Sequence, residues 1–166
     1  MNRRKFITLL GGAAATWPLA TRAQQSAKIP RLGVLGPTLN SPPSIAQYEA
    51  FHTRLGERGF REGQNLSIDY RGLGDPRGPF VVAAELVRSQ PDLIVTIGPE
   101  TSLQAVVGAS GFIPVVMIAV NFDPLAVGYI PSLARPGGNI TGVVFQQLEL
   151  ARKQVELLTQ AWLHRR

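Results

Sequence analysis

The stretch Asp92-Leu93-Ile94-Val95-Thr96-Ile97-Gly98-Pro99-Glu100-Thr101-Ser102 constrains the fold more than any other part of the chain. An apolar and β-branched run opens at an Asp and stops at Gly-Pro, and an Ala/Val-rich helical run follows it. A strand with apolar side chains on both sides is buried on both faces, as in parallel sheets covered by helices. Small polar residues just past its carboxyl end sit where open α/β sheets take ligands.

The rest of the chain repeats this alternation. Residues 29–36 (IPRLGVLG) read as a first strand, and 37–43 (PTLNSPP) as a turn-rich loop. Ser44 is expected to cap a helix whose inward face is Ile45, Tyr48, Phe51 and Leu55. Residues 66–71 (LSIDYR) alternate and suit a strand near an edge. Residues 80–89 read as a helix with Phe80, Ala83, Ala84 and Val87 inward. A helix over 103–109 follows the central strand, then a strand over 113–120 (IPVVMIAV). A short helix is expected over 125–133, a firm turn over 134–139, a strand over 140–145 (ITGVVF) and an amphipathic helix over 148–162. Five strands alternating with helices predict an α/β fold, a doubly wound, mostly parallel five-stranded sheet with helices on both faces.

The formal net charge of +6 invites a nucleic-acid reading, but four of the 17 basic residues (Arg3, Arg4, Lys5 and Arg22) precede residue 24. The remaining 13 face 11 acidic residues, a net of +2, and are scattered. No groove-reading motif is present, so nucleic acid is not an expected partner. With no cysteine, the chain has no disulfide, thiol nucleophile or Cys-bound zinc.

Residues 1–23 read as a cleaved export signal. A basic start is followed by an apolar run over 6–20, with small Thr21 and Ala23 before the expected cut near Ala23. Asn2-Arg3-Arg4-Lys5-Phe6-Ile7 resembles the twin-arginine motif, which makes the Tat export machinery a partner and the periplasm the destination. A membrane anchor fits less well, because Gly11, Gly12 and Pro18 interrupt the run and Arg22 ends it.

Chemical motifs are sparse. Gly72-Leu73-Gly74-Asp75-Pro76-Arg77-Gly78 follows a strand, but its third Gly falls one place late for a dinucleotide fingerprint. His52 and His164 are far apart and lack metal-ligand spacing; His52 reads as a partly buried structural histidine. No nucleophile elbow exists. Asp123-Pro124 admits a helix cap or a ligand contact, and Glu100-Thr101-Ser102 admits a helix cap or an anion site. No cofactor, catalytic residue or metal ligand is assigned.

The segments RLGVLGP, the Glu-Gly-Gln-Asn turn before LSIDYR, AAELVRSQPDLIVTIG, IPVVMIAVNFDPLAVGYI and SLARPGGNITGV, in this order, resemble the substrate-binding proteins of ABC importers with a type I periplasmic-binding fold. The likeness is to the uncharacterised and amino-acid branch. It implies two α/β lobes closing on a small molecule delivered to an ABC permease in the inner membrane, with no enzymatic step. Residues 28–147 would be the N-terminal lobe, and 148–166 the first helix of a truncated second lobe. The implied ligand-binding residues are Thr38, Ser41, Pro99, Glu100, Thr101, Asn121, Phe122 and Asp123. Members of the family often place a hydroxyl residue and then Pro after the Gly equivalent to Gly98, whereas this chain has Pro99-Glu100. The expected ligand is an amino acid or related carboxylate, bound weakly by one lobe alone. An exported α/β enzyme or a periplasmic sensor module is the alternative.

Overall fold

The computed structural model describes residues 28–163. The expected leader over 1–23, its cut near Ala23, and His164 lie outside them. The described chain runs β1 (Arg31–Gly36), α1 (Pro42–Glu57), β2 (Ser67–Gly72), α2 (Pro79–Arg88), β3 (Leu93–Gly98), α3 (Glu100–Ser110), β4 (Val115–Val120), β5 (Ile140–Phe145) and α4 (Gln147–Leu163). The five strands form one sheet in the order β2-β1-β3-β4-β5, every neighbouring pair parallel. The expected sheet was mostly parallel, and the one found is wholly so.

Strand alternation assigns the two faces. Leu35, Ile94, Val115, Met117 and Ala119 join Val82, Ala83 and Leu86 of α2 and Leu103, Ala105 and Val106 of α3 in the main core. Leu32, Val34 and Val95 point the other way, against Phe51 and Leu55 of α1. The central strand is therefore covered on both sides, as its apolar run requires.

Four local expectations are corrected. The first helix starts at Pro42, not after Ser44, with Ser41 as its N-cap residue. Pro42 and Pro43 fit the first turn because its N–H groups have no intrahelical partner. Ser44 is instead the third helical residue; its hydroxyl accepts the Ser41 N–H at 3.3 Å and donates to the Thr38 carbonyl at 3.0 Å. Residues 124–128 form turns and 129–133 bends and irregular backbone, not a helix. The N–H groups of Tyr129 and Ile130 both reach the carbonyl of buried Pro124, and Gly128 turns left-handed at φ 88°. Phe80 lies 55% exposed, because α2 turns Val82, Ala83 and Leu86 inward. Ile45 of α1 is likewise exposed.

Two glycines are fixed by close approach. A Cβ at Gly142 (φ 154°) would lie 1.9 Å from the Met117 carbonyl oxygen, across the β4–β5 pair. A Cβ at Gly98 would lie 2.8 Å from Leu73, whose side chain rests on the end of β3.

Candidate functional site

The strand order reverses direction between β1 and β3. The chain leaving β1 enters α1 on one face, and the chain leaving β3 enters α3 on the other. Two loops that part in opposite directions leave a crevice at the carboxyl edge, the usual ligand position in such sheets. The loop after β4 borders it, since β4 neighbours β3. Thr38 and Ser41, then Pro99, Glu100 and Thr101, then Asn121, Phe122 and Asp123 all lie in or beside these three loops.

The loop after β1 is held by its own polar groups. The Thr38 hydroxyl accepts the Gly74 N–H at 2.9 Å, tying it to the loop after β2. The Tyr70 hydroxyl donates to the Pro37 carbonyl at 2.6 Å. The Ser41 and Ser44 hydroxyls lie 3.0 Å apart and share a hydrogen bond.

At the start of α3, Pro99 is the exposed N-cap residue and makes no side-chain cap bond. Buried Ser102 satisfies the turn instead, donating its hydroxyl to the Pro99 carbonyl at 2.6 Å. Glu100 is half-buried and Thr101 exposed. Burial pushes the Tyr129 phenol up, and the Glu100 carboxylate adds to the effect. The Glu100 charge thus acts on the turns that follow β4.

The loop after β4 divides its side chains between the crevice edge and structural work. Asn121 adopts φ 59°, and its Oδ1 accepts the Leu148 N–H at 3.1 Å. Half-buried Phe122 packs against the main core. Exposed Asp123 accepts the Leu125 N–H at 2.9 Å, a turn closure in place of the helix cap that sequence allowed.

Other features were not anticipated. Arg77 bridges Asp75 at 2.8 Å and Glu85 at 2.6 Å, while Arg71 holds Asp69 at 2.8 Å and lies 3.9 Å from Glu85. Arg77, through its guanidinium first and its backbone N–H second, holds the Asp75 carboxyl down at about 2. The alternating Asp-Tyr-Arg and Asp-Pro-Arg signs were the only signal in the sequence. His52 is a surface residue 3.1 Å from Glu62, not a partly buried one. Asp92 accepts the Arg31 N–H at 2.8 Å and pairs with Lys28. Among the described residues, no three His, Asp or Glu side chains gather in a metal-binding group.

A groove of about 450 Å³ lies on the α1 face of the sheet, lined chiefly by Val34, Tyr48, Phe51, Ile97, Val120 and Phe145. Tyr48 and Tyr70 meet edge-to-face at 5.1 Å, and burial pushes both phenols up. Among the described residues, no charged side chain lines the groove. It is largely apolar, and Pro37 and Ser44, from the loop after β1 and the start of α1, also line it.

The family described as ABC transporter substrate binding protein matches residues 36–162. A tyrosine-binding protein of Clostridioides difficile (strain R20291) is 35% identical over 95 residues, which are 57% of this chain and 27% of that protein. A solved conserved domain protein from Vibrio cholerae superposes with TM-score 0.65 at 31% identity, over 79% of this chain and 43% of the other. A solved ABC domain from Streptococcus pneumonia, in complex with L-Trp, gives TM-score 0.58 at 29% identity, over 69% of this chain and 38% of the other. The chain thus spans about a quarter of the curated relative and less than half of either solved structure.

Proposed function

The chain belongs to the family of ABC transporter substrate binding proteins, and we propose from that premise that it supplies one wall of a cleft that binds an amino acid for an ABC permease. The observation that carries this reading is the meeting of three loops at the point where the strand order reverses. The relatives named for tyrosine and solved with L-Trp support an amino-acid ligand.

In this reading residues 28–147 form one lobe, and 148–166 begin the next. The ligand carboxylate meets the N–H groups and the exposed Thr101 hydroxyl at the start of α3. Glu100 meets the ligand amino group, because its charge opposes close contact with an anion. Thr38, Ser41, Pro99, Asn121, Phe122 and Asp123 shape the rest of the wall. The chain performs no catalysis. It acts in the periplasm, carried there by the Tat machinery through the leader over 1–23, and the Arg3-Arg4 pair supports that route.

NMR titration of the purified chain with L-tryptophan tests the reading. Amide shifts are expected at 38–41, 99–102 and 121–123, with a Kd near 1 mM or weaker, about −4 kcal/mol. Cleft closure draws contacts from two lobes, so one wall binds weakly. Shifts confined to other surfaces would overturn the site, and micromolar affinity would overturn the one-wall reading.

A further inference from the structure

The run Gly72-Leu73-Gly74-Asp75-Pro76-Arg77-Gly78, which fails as a dinucleotide fingerprint, begins at the end of β2 and touches two of the three cleft loops. The Leu73 N–H donates to the Gly36 carbonyl at 2.8 Å, closing the end of the β1–β2 ladder. The Leu73 side chain reaches past β1 to the tip of β3, where it leaves no room for a Cβ at Gly98, the residue before Pro99. The next residue turns to the other loop: the Gly74 N–H donates to the Thr38 hydroxyl at 2.9 Å. Thr38 also lies against Gly72, and a Cβ at Gly74 would collide with its hydroxyl oxygen.

The far end of this loop is fixed to α2. Arg77 meets both Asp75 carboxylate oxygens, through Nε at 3.0 Å and Nη2 at 2.8 Å, while its Nη1 donates to Glu85 of α2 at 2.6 Å. A two-pronged guanidinium–carboxylate pair fixes direction as well as distance. The Arg77 N–H donates to Asp75 Oδ1 at 2.9 Å, and the Gly78 N–H donates to the Asp75 carbonyl at 3.0 Å. Between them the ring of Pro76 sets its own φ. The loop is thus cross-linked within itself and tied to a helix whose Val82, Ala83 and Leu86 are buried in the main core.

We propose that residues 72–78 are a fourth element of the ligand site: a brace, anchored on α2, that fixes the Thr38 hydroxyl and the Gly98–Pro99 turn relative to each other. Leu73 and Gly74 are its positioning residues, and their role in binding rests on the cleft reading above. The loops after β1 and β3 part toward opposite faces of the sheet, so a third segment that touches both sets their spacing. A ligand held by both loops needs them placed to within about 0.5 Å, the tolerance of a preorganised site. The Gly74 bond also sets what Thr38 offers. Its oxygen accepts from the backbone, and among the described residues its proton has no acceptor, so exposed Thr38 is left to donate to an acceptor on the ligand.

NMR of the full chain carrying Gly74→Ala or Leu73→Ala tests the brace, first without ligand. Gly74 is exposed and its backbone is not left-handed, so Gly74→Ala should turn Thr38 aside with the urea midpoint nearly unchanged. Each substitution should move amide signals at both 38–41 and 98–102, including the arm it does not touch. L-Tryptophan affinity should then fall about 10-fold in each variant, the worth of one hydrogen bond. Leu73→Met keeps the side-chain volume and should behave as the wild type. A merely structural Leu73 would lower the urea midpoint and leave the affinity of the folded chain unchanged. Shifts confined to the substituted arm overturn the proposal, as does an affinity unchanged in both variants. Should Leu73→Ala fail to fold, Gly74→Ala decides alone. A wild-type chain that ignores L-tryptophan overturns the amino-acid reading, while the ligand-free spectra still decide the brace.

Discussion

The side-chain carbonyl of Asn121, just past β4, accepts a hydrogen bond from the backbone N–H of Leu148 in the first turn of α4, at 3.1 Å. The Asn121 N–H also donates to the Phe145 carbonyl at 3.0 Å. One residue in a crevice-edge loop thereby sets where the helix after β5 begins. In the two-lobe reading, this joins the ligand loop to the crossing between lobes.

Replacing Asn121 should loosen that junction. Asn121→Ala removes the acceptor and places a Cβ residue without a compensating side-chain bond at φ 59°. A cost of about 1–2 kcal/mol is expected in urea unfolding. Asn121→Gly relieves the backbone but not the lost acceptor, so amide exchange at Leu148 should rise in both variants. Unchanged exchange at Leu148 would show that the bond does not hold α4.

Glycine substitutions should separate by contact. Gly142→Ala drives a Cβ to 1.9 Å from the Met117 carbonyl oxygen, and backbone cannot yield as a side chain can. A loss of about 3 kcal/mol is expected. Gly108 lies within α3, and a Cβ there meets nothing within 4 Å. Gly108→Ala should stabilise the chain by about 0.8 kcal/mol through helix propensity. Urea midpoints that move together would contradict the β4–β5 register.

Acid sensitivity should trace to Asp75. Its carboxyl sits at about 2 against an ordinary 3.8, so it loses its charge at lower pH in the folded chain than in the unfolded one. Its stabilising contribution is full above the unfolded value and fades as pH falls through about 2. Arg77→Gln should move the Asp75 titration, followed by carboxyl carbon NMR, back toward 3.8. It should also flatten the fall in stability between the unfolded value of 3.8 and about 2. A titration unaffected by the substitution would mean that Arg77 does not hold Asp75.

The main core should be least tolerant where α2 meets the sheet. Leu86 is fully buried, and its side chain lies against Gly33 of β1. Leu86→Ala should cost about 2–5 kcal/mol by the cavity it leaves. Phe80→Ala, on the exposed side of the same helix, should cost far less in the same unfolding experiment.

The sequence by itself determined the alternating elements and the buried central strand, because Leu93–Gly98 has no polar side to present to water. It also located the three loops of the crevice, since each follows a legible strand. Within those loops local pattern was insufficient. Ser44 and Asp123 both looked like N-cap residues, yet the first caps from the third helical position in a box with Ser41 while also bonding Thr38, and the second closes a turn. The outcomes depend on Pro42 entering the first helical turn and on Pro124 being buried. Only the tertiary structure decided that Asn121 holds α4 and that Thr38 ties two loops together. Periodicity records which residues avoid water, but partners distant in sequence determine where each polar group bonds.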